Sequence, residues 1–279
     1  MNYSLKTKDY FLSQEQFELR YDDSLDMLVT HPKPREISKY YESENYISHT
    51  DGTETKTHKL YQFAKRINLR NKLSLITKFH SGTETLFDVG AGTGEFLFYV
   101  KNRGWTTYGV EPNAKANQLA KEKGLELKLN IDEYQNTQFG VITLWHVLEH
   151  LPDLKKNIKQ LSKMLEDNGT LCIAVPNFKS FDAKYYQKFW AAYDVPRHLW
   201  HFSKSSIQNL FGRHGLELVC VKPMWFDSFY VSLLSEEYKT GKKNWIKAFL
   251  IGFISNAKGI FTKEFSSHIY ILKKTNRST

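Results

Sequence analysis

Asp88, Gly90, Ala91, Gly92 and Gly94 belong to the run with the clearest chemistry in this chain, Asp88-Val-Gly-Ala-Gly-Thr-Gly94, set between the apolar Leu86–Val89 and a helix-periodic stretch starting at Glu95. Glycine is needed where backbone takes a positive φ or approaches a ligand with no Cβ in the way, and the first N–H groups of the following helix have no partner within it. The turn reads as a seat for a nucleotide-like cofactor. Its spacing is G-x-G-x-G, whereas a dinucleotide fingerprint needs glycine where Glu95 stands. An acid two residues before the first glycine would repel a pyrophosphate and suits a cofactor with a cationic, amino-acid-like end, a description that S-adenosylmethionine meets.

The elements that must position this turn follow in order. A helix over 94–103 stops at Gly104, a strand covers Trp105–Val110, and Glu111 stands at its carboxyl end before Pro112 and Asn113. A carboxylate only accepts hydrogen bonds, which suits the two hydroxyls of a ribose. A helix over 114–123 leads to a third strand, Leu125–Asn130, and to Ile131 and Asp132, where an adenine edge can be held. The fourth strand, Phe139–Trp145, runs into His146-Val-Leu-Glu-His150. Leu154, Ile158, Leu161 and Leu165 then mark one face of a helix before strand Thr170–Val175.

Asp88-Val-Gly-Ala-Gly-Thr-Gly94, Gly109-Val-Glu-Pro112, Val141-Ile-Thr-Leu-Trp-His-Val-Leu-Glu-His150 and Asn168-Gly-Thr-Leu171 with Val175-Pro-Asn177 resemble the ordered motifs of class I S-adenosylmethionine-dependent methyltransferases. The resemblance covers residues 60–223. Pro196-Arg-His-Leu-Trp-His-Phe-Ser203 resembles the small-molecule branch that includes the ubiquinone-type O-methyltransferases. It implies an α/β, Rossmann-like fold: a mostly parallel seven-stranded sheet with an antiparallel last strand and helices on both faces. It also implies S-adenosylmethionine as cofactor, S-adenosylhomocysteine (SAH) as product, and Asp88, Gly90, Ala91, Gly92, Gly94, Glu111, Pro112, Ile131, Asp132 and Trp145 as cofactor-binding residues.

Three segments follow from this: an N-terminal extension or flap over 1–55, a methyltransferase domain over 56–279, and within it a helical insertion over 224–262. Thr30-His-Pro-Lys-Pro34 and the tyrosine-rich Tyr40–Thr50 resemble the leader of some bacterial members, in which a cysteine-ligated zinc module comes first; here no cysteine precedes Cys172. A short β-like flap (Phe17–Arg20, Met27–Val29) is expected instead, with Tyr40, Tyr41 and Tyr46 as candidates to fold over the cofactor. Residues 56–79 read as a long amphipathic helix. The insertion holds two helix-length segments, 225–234 and 245–254, apolar on more than one face and too short to span a bilayer. A lid over an apolar substrate, a homodimer interface and a peripheral membrane contact all remain open for it.

The net charge of +9 invites a nucleic-acid reading, yet the lysines are scattered, with Lys155, Lys156, Lys159 and Lys163 on the polar side of one helix, so no specific nucleic acid is expected. With no signal core and both cysteines in apolar strands, a cytoplasmic chain without disulfide or metal site is expected. Methyl transfer to a hydroxyl needs alignment and removal of one proton. His198 and His201 lead as bases, with His146 as the alternative and Arg197 and Trp200 shaping the pocket. An Asn/Asp-Pro-Pro-aromatic run, usual for methylation of nucleobase amines, is replaced by Leu144-Trp-His-Val147, and cytosine C5 chemistry would need an exposed cysteine. O-methylation of a small, fairly apolar molecule is therefore expected. N- or C-methylation, an RNA or protein methyltransferase, and a non-catalytic cofactor-binding protein stay open.

Overall fold

The computed structural model describes residues 4–41, 56–80 and 82–274. The apolar runs form one six-stranded sheet in the order β5-β4-β6-β7-β10-β9. Strands β4 (Thr85–Val89), β5 (Thr106–Val110), β6 (Phe139–Trp145) and β7 (Leu165–Pro176) are parallel, while β10 (Ser267–Lys274) runs antiparallel between β7 and β9 (Leu216–Pro223). Parallel strands covered on both faces are largely apolar, as Phe139–Leu144 are: all six are buried, and Thr143 is the one polar side chain. The seventh strand expected at Leu125–Asn130 is reduced to a single parallel bridge, Val110 to Lys128. Asn117 on the neighbouring helix competes for that edge, its side-chain amide bonding the Leu127 carbonyl. Cys172 is buried in β7, but Cys220, expected to be buried, is only half-buried in β9.

Helices α1 (Lys56–Phe79), α2 (Glu95–Lys101), α3 (Ala114–Glu122), α4 (Leu154–Met164), α5 (Phe181–Tyr186) and α6 (Lys204–Gly212) connect these strands. In α4, Leu154, Ile158, Leu161 and Met164 turn inward and Asp153 caps the first turn by accepting the Lys156 N–H. The insertion forms α7 (Asp227–Thr240) and α8 (Trp245–Thr262).

The N-terminal extension is a sheet of its own. Strands β1 (Ser4–Lys8), β2 (Gln16–Asp22) and β3 (Met27–His31) are antiparallel neighbours, and β3 pairs with β8 (Trp200–His201) of the main domain. A second hydrophobic core joins Phe17, Leu19, Leu28 and Tyr40 of the extension to Tyr186, Trp190 and Tyr193, and reaches Ile251 of α8. The Arg197 guanidinium, 1% exposed, locks the junction: it donates to the carboxylates of Asp9 and Asp194 and to the Tyr40 carbonyl. Tyr46 lies outside the described residues.

Candidate functional site

The glycine turn leaves β4 with three residues in the left-handed region: Gly90 at φ +69°, Gly92 at +55° and Gly94 at +74°. They serve different ends. A Cβ on Gly90 would come within 2.5 Å of Val147, and one on Gly94 within 2.5 Å of Leu125, so these two are packing glycines. At Gly92 nothing lies within 4 Å, and the backbone faces open space. Glu111 braces the turn by accepting the Gly92 N–H at Oε2 (2.8 Å) and the Asn113 N–H at Oε1 (2.9 Å). Pro112 separates Glu111 from Asn113, whose side chain caps α3.

Asp88, behind the turn, accepts a hydrogen bond from Thr143. Burial pushes its carboxyl up to about 6, against the opposing pull of Thr143 and of the Lys72 ammonium on α1. Lys72 lies 4.2 Å from the centre of the Trp145 ring. Trp145 closes β6 with its indole Nε1 buried and without a partner among the described residues, a donor waiting for an acceptor. An open glycine, a buried acid suited to a cation and an orphaned buried donor fit the cofactor that the sequence implies. Ile131 is buried in the main core. The Asp132 carboxylate is exposed and paired with Lys156 at 3.2 Å, turned to solvent where the sequence suggested an adenine contact.

The next residue, His146, sits at φ +56° with its backbone N–H on the Ala174 carbonyl. Its Nε2 lies 3.2 Å from Asp227, the first residue of α7, and its Nδ1 3.4 Å from Glu149. Burial alone would favour the neutral ring, but bonds to these two carboxylates raise its pKa to about 10. The shift disfavours His146 as the base, since the two carboxylates hold a proton on its ring. Glu149, 1% exposed, is held below the ordinary carboxyl range despite burial, by His146 and the neighbouring histidines.

His198 and His150 stand ring against ring at 4.5 Å. His198 Nδ1 lies 2.9 Å from the Ala192 carbonyl and His150 Nδ1 3.1 Å from the Arg197 carbonyl. A carbonyl only accepts, so each Nδ1 carries a proton and Nε2 is the nitrogen left for other partners, that of His198 lying 4.0 Å from Asp194. Tyr41, from the extension, places its hydroxyl 2.9 Å from His150 Nδ1. Burial, with His198 beside it, pushes the His150 pKa down to about 4. Glu149, His150 and His198 each bring one donor atom within 4.8 Å of the others, a set of imidazole and carboxylate able to receive a proton or to hold a divalent cation. Glu149 and His150 come from the turn that follows β6, and His198 from far along the chain.

His201 lies outside the cluster, its ring 6.4 Å from that of His198. It is buried in β8, with Nε2 3.0 Å from the Thr30 hydroxyl and its ring against Tyr193, and burial holds its pKa well below 6.5. It ties the two sheets together, which corrects its assignment as a base. Arg197 likewise serves the junction, and Trp200 donates its indole N–H to the Leu151 carbonyl. Three residues of the site were not singled out from the sequence. Glu149 had a signal, a lone carboxylate between Leu148 and Leu151 three residues after His146. Lys72 and Asp227 had none, since only the tertiary fold brings them here.

Residues 57–221 match the model of a family described as a methyltransferase domain. The ubiquinone biosynthesis O-methyltransferase of Pelagibacter ubique is 26% identical over 162 residues, 50% of this chain and 68% of its own. The protein of the same description from Erwinia tasmaniensis is 28% identical over 105 residues, 34% of this chain, and the match spans only 43% of that relative's length. Among solved structures, magnesium protoporphyrin IX methyltransferase from Synechocystis with bound SAH superposes with a TM-score of 0.54 at 12% identity, covering 85% of this chain and 97% of its own. A SAM dependent methyltransferase from Archaeoglobus fulgidus gives 0.51 at 18% identity, covering 75% and 94%. At such identities the structural likeness shows the fold alone.

Proposed function

We propose, from the premise that this chain belongs to the methyltransferase domain family and has the class I, S-adenosylmethionine-dependent fold, that it methylates a hydroxyl of a small, fairly apolar molecule. The observation that carries this reading is an adjacency. Val147 packs against Gly90 of the cofactor turn, and Glu149 and His150 follow it directly to meet His198. The cofactor turn and a cluster able to take up a proton are thus built on one strand end.

S-adenosylmethionine, when bound, supplies a methyl group already activated on a sulfonium sulfur. Gly92, Glu111, Asp88 and Trp145 are the residues we assign to hold it. His198 Nε2 accepts the hydroxyl proton as the oxygen takes the methyl group. Glu149 balances the charge that then develops, and His146, kept cationic by Asp227, fixes Glu149 in place. The distant ubiquinone biosynthesis O-methyltransferases support a hydroxyl acceptor.

Transfer of labelled methyl groups to phenolic and catecholic acceptors, measured beside amine and RNA acceptors, tests this reading. Hydroxyl acceptors are expected to be preferred. His198→Asn should lower turnover by about 10²–10⁴ while SAH affinity stays intact. Full activity in that variant removes His198 as the base, and preference for RNA overturns the acceptor class.

A further inference from the structure

The insertion is built with its polarity reversed. In α7, Ser228, Ser232, Ser235 and Glu236 are fully buried, while Phe226 beside it is 80% exposed. In α8, Ile246, Phe249, Leu250, Phe253, Ile260 and Phe261 face outward, from 49% to 85% exposed. Their spacing of three, four and seven residues sets them on one stripe along a helix about 27 Å long. Apart from Ile251, the opposite face is small or polar. A Cβ on Gly252 would come within 2.8 Å of Phe229, and one on Gly259 within 2.7 Å of Phe265. Ser255 donates at 2.6 Å to the buried Asp182, which also receives Ser266 and the Trp190 indole. Rolling α8 to hide its stripe would break these bonds, so the stripe faces out because of how the helix is seated.

Charge identifies what covers it. From Lys239 to Lys263 the chain carries six lysines (239, 242, 243, 247, 258 and 263) and no Asp or Glu. Lys247 and Lys258, eleven residues apart, return to the same side of the helix and border the stripe, Lys247 pairing with the buried Glu236 at 3.1 Å and Lys258 lying over the Phe181 ring. A second copy of the chain fits poorly, because a two-fold interface sets a patch against itself and would oppose these lysines with their own duplicates. An anionic lipid surface fits on both counts: the stripe enters the boundary between headgroups and acyl chains, and the lysines meet the headgroup charge. No helix among the described residues is long and apolar enough to cross a membrane, which leaves α8 lying in the surface.

We propose that α8, with Trp225 and Phe226 beside it, docks the protein flat on anionic membranes. The same segment contributes Asp227 to the site, so docking brings the His146 end of β6 to the membrane side. Flotation of the full chain with phosphatidylcholine vesicles containing about one-third phosphatidylglycerol tests this, and binding should weaken in neutral vesicles and at high salt. The double variant Ile246→Asp/Phe253→Asp, at exposed positions, should weaken vesicle binding by about a hundredfold. Lys242→Gln/Lys243→Gln should weaken it about twentyfold. Both should keep the melting temperature and SAH affinity of the parent. No flotation of the parent, or undiminished flotation of the aspartate variant, overturns the proposal. So does a parent dimer that the aspartate variant dissociates, which would assign the stripe to a second copy.

Discussion

Glu111 reaches back 19 residues to hold the Gly92 N–H, whereas Arg197 reaches 188 residues to hold Asp9. Most of the cofactor side is assembled from consecutive elements, β4, the glycine turn, α2 and β5, each handing the chain to the next, with Trp145 added from the end of β6. The side we assign to the acceptor is assembled from pieces far apart: the extension, residues 177–201 and the insertion, joined by Thr7 to Lys188, Thr30 to His198 and His146 to Asp227. One half is a local unit that can be kept while the other is rebuilt, which is how one fold serves many acceptors.

Arg197→Ala strikes the distant half hardest. It leaves Asp9 buried with only its local donors, Phe11, Leu12 and Ser13, and breaking a buried ion pair costs about 3–5 kcal/mol. Calorimetric unfolding should show that loss, with SAH affinity per folded molecule little changed. A matching loss of SAH affinity would mean that the two halves are one cooperative unit.

Glu111→Ala is the converse experiment. Loss of hydrogen bonds to a charged group should weaken SAH by about 1.5–3 kcal/mol, or roughly tenfold and more by titration calorimetry. The junction at Arg197 should be untouched, and unchanged SAH affinity would remove Glu111 from the cofactor site.

The smallest effect sharpens the comparison within the cofactor half. Burial holds the Asp88 carboxyl at about 6, above the ordinary aspartate value of 3.8. Between these values the unfolded chain binds fewer protons than the folded one, so ionising Asp88 costs stability as pH rises from 3.8 to 6. A cationic ligand group recovers that cost. SAH affinity should therefore fall below pH 6, by up to about tenfold per pH unit, and Asp88→Asn should flatten this dependence.

What the sequence disclosed follows the same division. The glycine spacing, Glu111 and the strand ends were legible because each element announces the next through turn residues and periodicity. The convergence of Glu149, His150 and His198 was half legible: the histidines stood out, but spacing along the chain cannot show that the Ala192 carbonyl orients one ring while Thr30 claims His201. The outward stripe of α8 was legible as an apolar helix and not as an exposed one, since periodicity marks a face without saying which way it points. In sequence, Ser255 and Asn256 merely interrupt an apolar run, and only the packing against Asp182 and Trp225 shows them to be the seat.

The pairing of β3 with β8 has a consequence for how the chain is made. Thr30 and His201, which join the two sheets, are separated by 171 residues. At ~5–20 residues per second, β3 leaves the ribosome roughly 10–30 s before its partner strand exists. During that interval Leu19 and Leu28, buried in the finished molecule, have neither Trp190 nor Tyr193 to pack against. The extension is synthesised well before the strand it pairs with, so it is a stretch of this chain that a nascent-chain holdase has reason to bind.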